Sequence, residues 1–217
     1  MTARLRIFFD VDGVLIDGWH ARPERRRRWD TTLRRDLGID PEALSRALFQ
    51  PPPGGGPAPI DRSSLGEGEI EPLLEALLPA LGYGGGVESF LDYWFSRDAA
   101  VNSDVLALSR RLRARGAQLY IATAQERRRA GYLWQTPGFS RDFTRMFHTA
   151  ALGLPKRDPA FFRAIDTLLG PAAAPPLMVD DRAEVCAAAR AAGWEACLFD
   201  APADLVGHPR VAALLAG

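Results

Sequence analysis

The chain has 217 residues, 47% of them hydrophobic, and its 27 acidic residues balance its 27 basic ones. That length fits one domain of ordinary size, or one carrying a sizeable insertion, and the zero net charge supplies no global field toward nucleic acid or a membrane surface. The two cysteines, Cys186 and Cys197, cannot form a disulfide framework, which fits a reducing cytoplasm, and no apolar stretch is long enough to span a bilayer.

Residues 7–15, IFFDVDGVL, have the composition of a strand buried on both faces, ending in Asp10 and Asp12. These acids, with Asp17, argue against a signal peptide. Period-two alternation places both carboxylates on one side, and Gly13 permits a sharp backbone exit. Two acids so close cannot both ionise comfortably unless a cation sits between them or one keeps its proton. The pair therefore reads either as a metal site or as a nucleophile beside an acid/base partner.

The next stretch, 18–99, has no convincing strand. Helices are expected over 22–38, 41–49, 70–81 and 87–98. Between them, PPPGGGP (51–57) and GGG (84–86) are too rich in Gly and Pro for regular structure, and the first reads as a mobile loop. Most of the arginine run at Arg22 and 25–28 reads as a solvated helix face. His20 and Arg22, nearest the start of this stretch, are the candidates for substrate contact. Tyr93, Trp94 and Phe95 read as local core.

From about residue 100 helices and strands alternate. Helices are expected over 104–115 (Asn102 or Ser103 as N-cap), 125–134, 159–169 (Asp158 as N-cap, Pro159 first) and 184–192. Strands are expected over 117–122, 145–148, 177–179 and 195–199. Such alternation means a parallel sheet with right-handed crossovers. Residues 1–17 and 100–217 are thus read as an α/β core, interrupted by a helical insertion over 18–99.

Each strong strand delivers a polar group where it ends: Asp10 and Asp12, then Thr123, then Asp180 and Asp181. Lys156, the only lysine in the chain, lies in the loop after the 145–148 strand. Ligands bind outside the carboxyl ends of parallel strands, so these groups converge on one sheet edge. Singly, each has a duller explanation: a solvated loop for the acid pair, helix caps for Thr123 and Asp180 or Asp181, a surface charge for Lys156. Arg127, Arg128 and Arg129 read as helix surface. Convergence of the others on one edge favours a site. Several carboxylates at one point call for a hard divalent cation with oxygen ligands, most simply Mg²⁺. A lysine at ~4 Å adds roughly 4 kcal/mol of gross attraction at an effective dielectric of ~20. The set suits nucleophilic phosphoryl transfer.

With FFDVDGVL (8–15), IAT (121–123), GLPKRDP (153–159) and LMVDD (177–181) in this order, the chain resembles the haloacid dehalogenase-like hydrolase superfamily. The resemblance covers residues 4–17 and about 100–200. It implies a Rossmann-like parallel sheet with helices on both faces and an α-helical cap of the first type over 18–99. By the same resemblance Asp10 is the nucleophile that forms an aspartyl-phosphate, and Asp12 is the acid/base whose backbone carbonyl also faces the metal. Thr123 and the N–H of Ala124 would hold the phosphoryl group, and Lys156 would neutralise Asp10 and the phosphate. Asp181 would be the direct Mg²⁺ ligand with Asp180 alongside, the reverse assignment remaining open.

The implied activity is a Mg²⁺-dependent phosphatase acting on a small phosphomonoester, as a monomer or homodimer, without nucleic acid or membrane. Asp12 favours it over the superfamily's dehalogenases, which attack carbon and need no second aspartate. A cap lysine for phosphonate chemistry is absent. A phosphosugar mutase stays open, as do a phospho-signalling receiver and a catalytically silent binding protein. The order of the motifs counts against the receiver. Three positions depart from the family pattern: Ala124-Gln125 where Asn or Gly usually follows the threonine, Arg157 in place of a proline, and Val185 in place of a polar residue.

Overall fold

Five short strands, β1 (Arg6–Phe9), β2 (Gln118–Thr123), β3 (Met146–His148), β4 (Leu177–Asp180) and β5 (Glu195–Leu198), form one sheet in the order β3-β2-β1-β4-β5. Every pairing is parallel. The computed structural model describes residues 4–17 and 28–217. His20 and Arg22, and most of the arginine run near them, lie outside the described residues.

The sheet is parallel because each strand is followed by a helical crossover, and its strands are apolar on both faces because helices cover both. Alternation along the strands divides the core in two. Ile7, Phe9, Leu119, Ile121, Leu177 and Val179 face one layer. Phe8, Tyr120, Ala122 and Met178 face the other, where Phe8 meets Trp194 with ring centroids 4.5 Å apart. The chain runs outward from β1 through β2 to β3, then returns to add β4 on the other side of β1. The direction therefore reverses between β1 and β4, and the crevice at their carboxyl ends is where ligands bind in such sheets.

The crossover helices are α6 (Ser103–Ala114), α7 (Arg127–Gln135), α10 (Pro159–Leu169) and α11 (Ala183–Ala191). Asn102 caps α6 by accepting from the N–H of Val105, and Asp158 caps α10 by accepting from the N–H of Ala160. Both agree with the sequence. The helix expected over 125–134 begins two residues later, because Glu126 is its cap and accepts from the N–H groups of Arg128 and Arg129.

Between β1 and α6 the described chain is helical: α1 (Leu33–Leu37), α2 (Pro41–Leu44), α3 (Pro59–Ser64), α4 (Ile70–Ala80) and α5 (Val87–Arg97). α2 continues into a wider π-helical turn, Ser45–Phe49. The helix expected over 22–38 is described only as the short α1, with turns at 29–32 before it. These helices bury their own cluster, including Leu33, Leu44, Leu74, Phe90 and Trp94. Tyr93, Trp94 and Phe95 belong to it, as the sequence implied. Tyr132 of α7 packs against both this cluster and the sheet's, and its ring lies 5.5 Å from that of Phe95.

The short helices α8 (Phe139–Asp142) and α9 (Thr149–Leu152) flank β3, while α12 (Pro202–Gly207) and α13 (Pro209–Ala216) close the chain. Together with α3, these were not expected from the sequence. Among the described residues no helix is long and apolar enough to cross a membrane.

Candidate active site

At the end of β1 the N–H of Asp10 still bonds to the carbonyl of Val179, 2.9 Å away, so the strand pairing runs up to the first carboxylate. The chain then turns sharply. Gly13 adopts φ +87°, and its N–H bonds to the carbonyl of Ile16 at 2.8 Å. The turn brings the backbone against the end of β4: a Cβ on residue 13 would lie 2.1 Å from Asp181 Oδ2. Only glycine fits such a positive φ at so close an approach.

The Lys156 ammonium bridges β1 and β4. Its Nζ lies 2.6 Å from Asp10 Oδ1 and 2.6 Å from Asp180 Oδ2, and all three side chains are buried. Burial alone would pull this ammonium down, but Asp10 and Asp180 outweigh it and hold Lys156 above the usual lysine range. Asp10 is pushed up to about 6, chiefly by burial; Lys156 opposes the shift, while Asp180 and Asp12 add to it. Three carboxylates, those of Asp10, Asp180 and Asp181, thus gather around one ammonium. Asp180 also accepts from the N–H of Arg182 at 2.9 Å and is wholly buried, whereas Asp181 lines the open cavity.

Carboxylate oxygens of Asp10, Asp180 and Asp181 lie within 4.8 Å of one another, an all-oxygen cluster suited to a hard cation. The cluster opens into a cavity of about 610 Å³. Asp10, Asp12, Thr123, Ala124, Lys156 and Asp181 form its floor. Pro57, Asp61, Ser64 and Leu65, from α3 and the residues flanking it, also line it. Every candidate site residue among the described ones except Asp180 therefore borders one space, and Asp180 touches it through Lys156. Residues 51–58 carry no helix or strand, as expected, yet Pro57 reaches the cavity.

Two residues read otherwise in the sequence also belong here. Gln125 Nε2 donates to Asp12 Oδ2 at 2.6 Å and lies 3.5 Å from Thr123 Oγ1. Arg129 is only 8% exposed, so assigning it to a helix surface was wrong. Its Nη2 lies 2.9 Å from Asp12 Oδ1 and 3.2 Å from Asp98 Oδ2. Helical phase carries the missed signal: Arg129 and Ala130 precede Leu133 by four and three residues, and all three are buried on one face of α7. Arg127 and Arg128 are not idle surface charges either. Arg127 pairs with Glu69 at 3.0 Å, and Arg128 grips Glu71 and both oxygens of Glu88.

The haloacid dehalogenase-like hydrolase profile matches residues 6–193. The chain belongs to this hydrolase family. In fold, this hydrolase is similar to a family enzyme of Bacteroides thetaiotaomicron crystallised with magnesium and inorganic phosphate. That likeness has a TM-score of 0.70 at 14% identity, covering 92% of this chain and 95% of the other. A predicted haloacid dehalogenase-like family hydrolase of Porphyromonas gingivalis gives 0.70 at 18% identity over 100% of both chains. The L-2-haloacid dehalogenase of Xanthobacter autotrophicus gives 0.56 at 16% identity, covering 94% of this chain and 81% of that one. A search of curated proteins finds no match to this hydrolase.

Proposed function

We propose that this hydrolase is a Mg²⁺-dependent phosphatase of small phosphomonoesters, with residues 1–17 and 100–217 as its catalytic core and 18–99 as a helical cap. The observation that carries the reading is that Asp12 shares the cavity floor with Asp10. Attack on carbon with a halide leaving group needs no proton donor, whereas an alkoxide leaving phosphorus does.

The residues present fit a magnesium ion. Asp10 and Asp181 supply carboxylates, Asp180 stands beside them, and the backbone carbonyl of Asp12 follows Asp10 at the same strand end. The charge left over after Lys156 calls for a cation, and the Asp181 carboxylate occupies space that only a glycine at 13 leaves open. When bound, the ion would supply positive charge for the phosphoryl oxygens and for Asp10. Magnesium in the similar Bacteroides enzyme supports this reading.

In the reaction Asp10 Oδ forms a bond to phosphorus as the P–O ester bond breaks, and the bonding pair leaves with the ester oxygen. Asp12 gives that oxygen its proton. A water then attacks phosphorus, Asp12 takes the water's proton, and the electron pair of the Asp10–phosphorus bond returns to Asp10. Thr123 and the N–H of Ala124 orient the phosphoryl group at the end of β2, while Lys156 fixes the Asp10 carboxylate and offsets charge. Cavity-lining residues of α3 enclose the leaving group.

The test is hydrolysis of p-nitrophenyl phosphate by purified protein. Turnover should require Mg²⁺, stop with EDTA, and vanish in Asp10→Asn. Metal-independent release of halide from a 2-haloacid, with no phosphate release, would replace the reading with the dehalogenase one.

A further inference from the structure

Asp12 is held by both of its oxygens. Gln125 Nε2 donates to Oδ2 at 2.6 Å, and Arg129 Nη2 donates to Oδ1 at 2.9 Å. The same nitrogen of Arg129 lies 3.2 Å from the carbonyl oxygen and 3.2 Å from Oδ2 of Asp98. Asp98 follows the last residue of α5, where the chain leaves the helical segment to rejoin the sheet. Just beyond it, Ala100 accepts from the N–H of Asp17, Val101 bridges Ile16, and Asn102 donates to the carbonyl of Leu15. The return crossing is thus laced to the turn that carries Asp12, and one buried guanidinium joins the two.

We infer that Arg129 is a positioning residue, fixing the Asp12 carboxylate toward the cavity and tying it to Asp98 at the return from the helical segment. An aspartate on a turn has rotamer freedom that a proton donor to a departing oxygen cannot keep. Two donors on separate oxygens, one on the strand-to-helix loop and one on α7, remove that freedom. The link to Asp98 makes the aim of Asp12 depend on where the helical segment joins the core. The inference rests on the phosphatase reading.

The experiment compares an alkyl phosphate with p-nitrophenyl phosphate, whose phenolate departs without a proton, in wild type, Arg129→Gln, Arg129→Lys and Asp98→Asn. In Arg129→Gln the first-step rate with the alkyl ester should fall on the order of 100-fold, the size of a general acid's contribution. The first step with the aryl ester should hold, and quench-flow should show aspartyl-phosphate accumulating, because Asp12 must still accept the proton of water. Arg129→Lys should restore part of the alkyl rate, and Asp98→Asn should shift the alkyl-to-aryl ratio in the same direction by less. If Arg129→Gln does not fold, Arg129→Lys and Asp98→Asn still decide. Equal losses of the first-step rate on both esters, or an unchanged first-step ratio in folded variants of an active enzyme, would overturn the role of Arg129 and leave the phosphatase reading standing. Wild-type protein that turns over neither ester would overturn both.

Discussion

Asp181 Oδ2 sits 2.1 Å from the point where residue 13 would carry a Cβ, so the turn after β1 and the end of β4 are fitted to each other through a missing side chain. Gly13 also holds φ +87°. Gly13→Ala meets both penalties at once, a left-handed backbone and an overlap with a carboxylate. It should cost about 1–3 kcal/mol of stability and displace Asp181. Thermal unfolding with and without Mg²⁺ checks this: the variant should have a lower Tm and a smaller Mg²⁺-induced rise. A normal rise would show that Asp181 need not lie where it does for metal binding.

Lys156 bridges two buried carboxylates at 2.6 Å each, and Lys156→Met leaves both without their cation. Removing one partner of a buried ion pair typically costs about 3–5 kcal/mol, because the remaining charge is stranded in a poor solvent for it. Metal-free Lys156→Met should therefore unfold at markedly lower denaturant. Because a divalent ion at Asp10 offsets part of the same charge, Mg²⁺ should raise the variant's stability more than the wild type's. Paired urea titrations read the difference, and equal increments would sink the argument.

Much of this site was legible because its parts sit at strand ends. Strands such as 177–179 and 117–122 are short, largely apolar runs, and the residue that stops each run is a candidate site residue. Asp158–Pro159 and Asn102 gave two helix starts by cap chemistry alone. Pro59, Pro202 and Pro209 also stand at the first turns of α3, α12 and α13, but these helices are 6, 6 and 8 residues long, with little periodicity to extend the signal. Arg129 was misread for a different reason. Three consecutive arginines look like a solvated face, yet successive residues on a helix point about 100° apart, so a run of three cannot share one environment. Gln125 was visible only as a departure from the family pattern; its partner Asp12 lies 113 residues away in the chain, which no local reading reveals.

A proton and a metal ion would compete for Asp10. Burial pushes this carboxyl up to about 6 in the metal-free protein, above its ordinary value of 3.8. Between those values the folded state binds more protons than the unfolded one at this group, so its contribution to stability falls as pH rises from about 4 to about 6. A cation can bind only after the proton leaves. Mg²⁺ binding should therefore release a proton at pH 5.5 and almost none at pH 7.5. Titration calorimetry in buffers of different ionisation enthalpy measures the count. Equal proton release at both pH values would place the competing group elsewhere.

The first turn of α7 also ties the helical segment to the sheet layer, through Arg127 to Glu69 and Arg128 to Glu71 and Glu88. These pairs are partly exposed, so each contributes little to global stability, typically below about 1 kcal/mol. Their effect should be local. α4 and α5 are anchored at their first residues, and α7 follows β2 directly. Arg128→Ala should leave Tm within a few degrees of wild type but speed amide exchange in 70–80 and 87–97 relative to the strands. The gap between variant and wild type should shrink at high salt, since screening weakens exposed pairs. Unchanged exchange in Arg128→Ala would mean that the Arg128 pairs do not hold these helices in place, leaving that to contacts such as the packing of Phe95 on Tyr132.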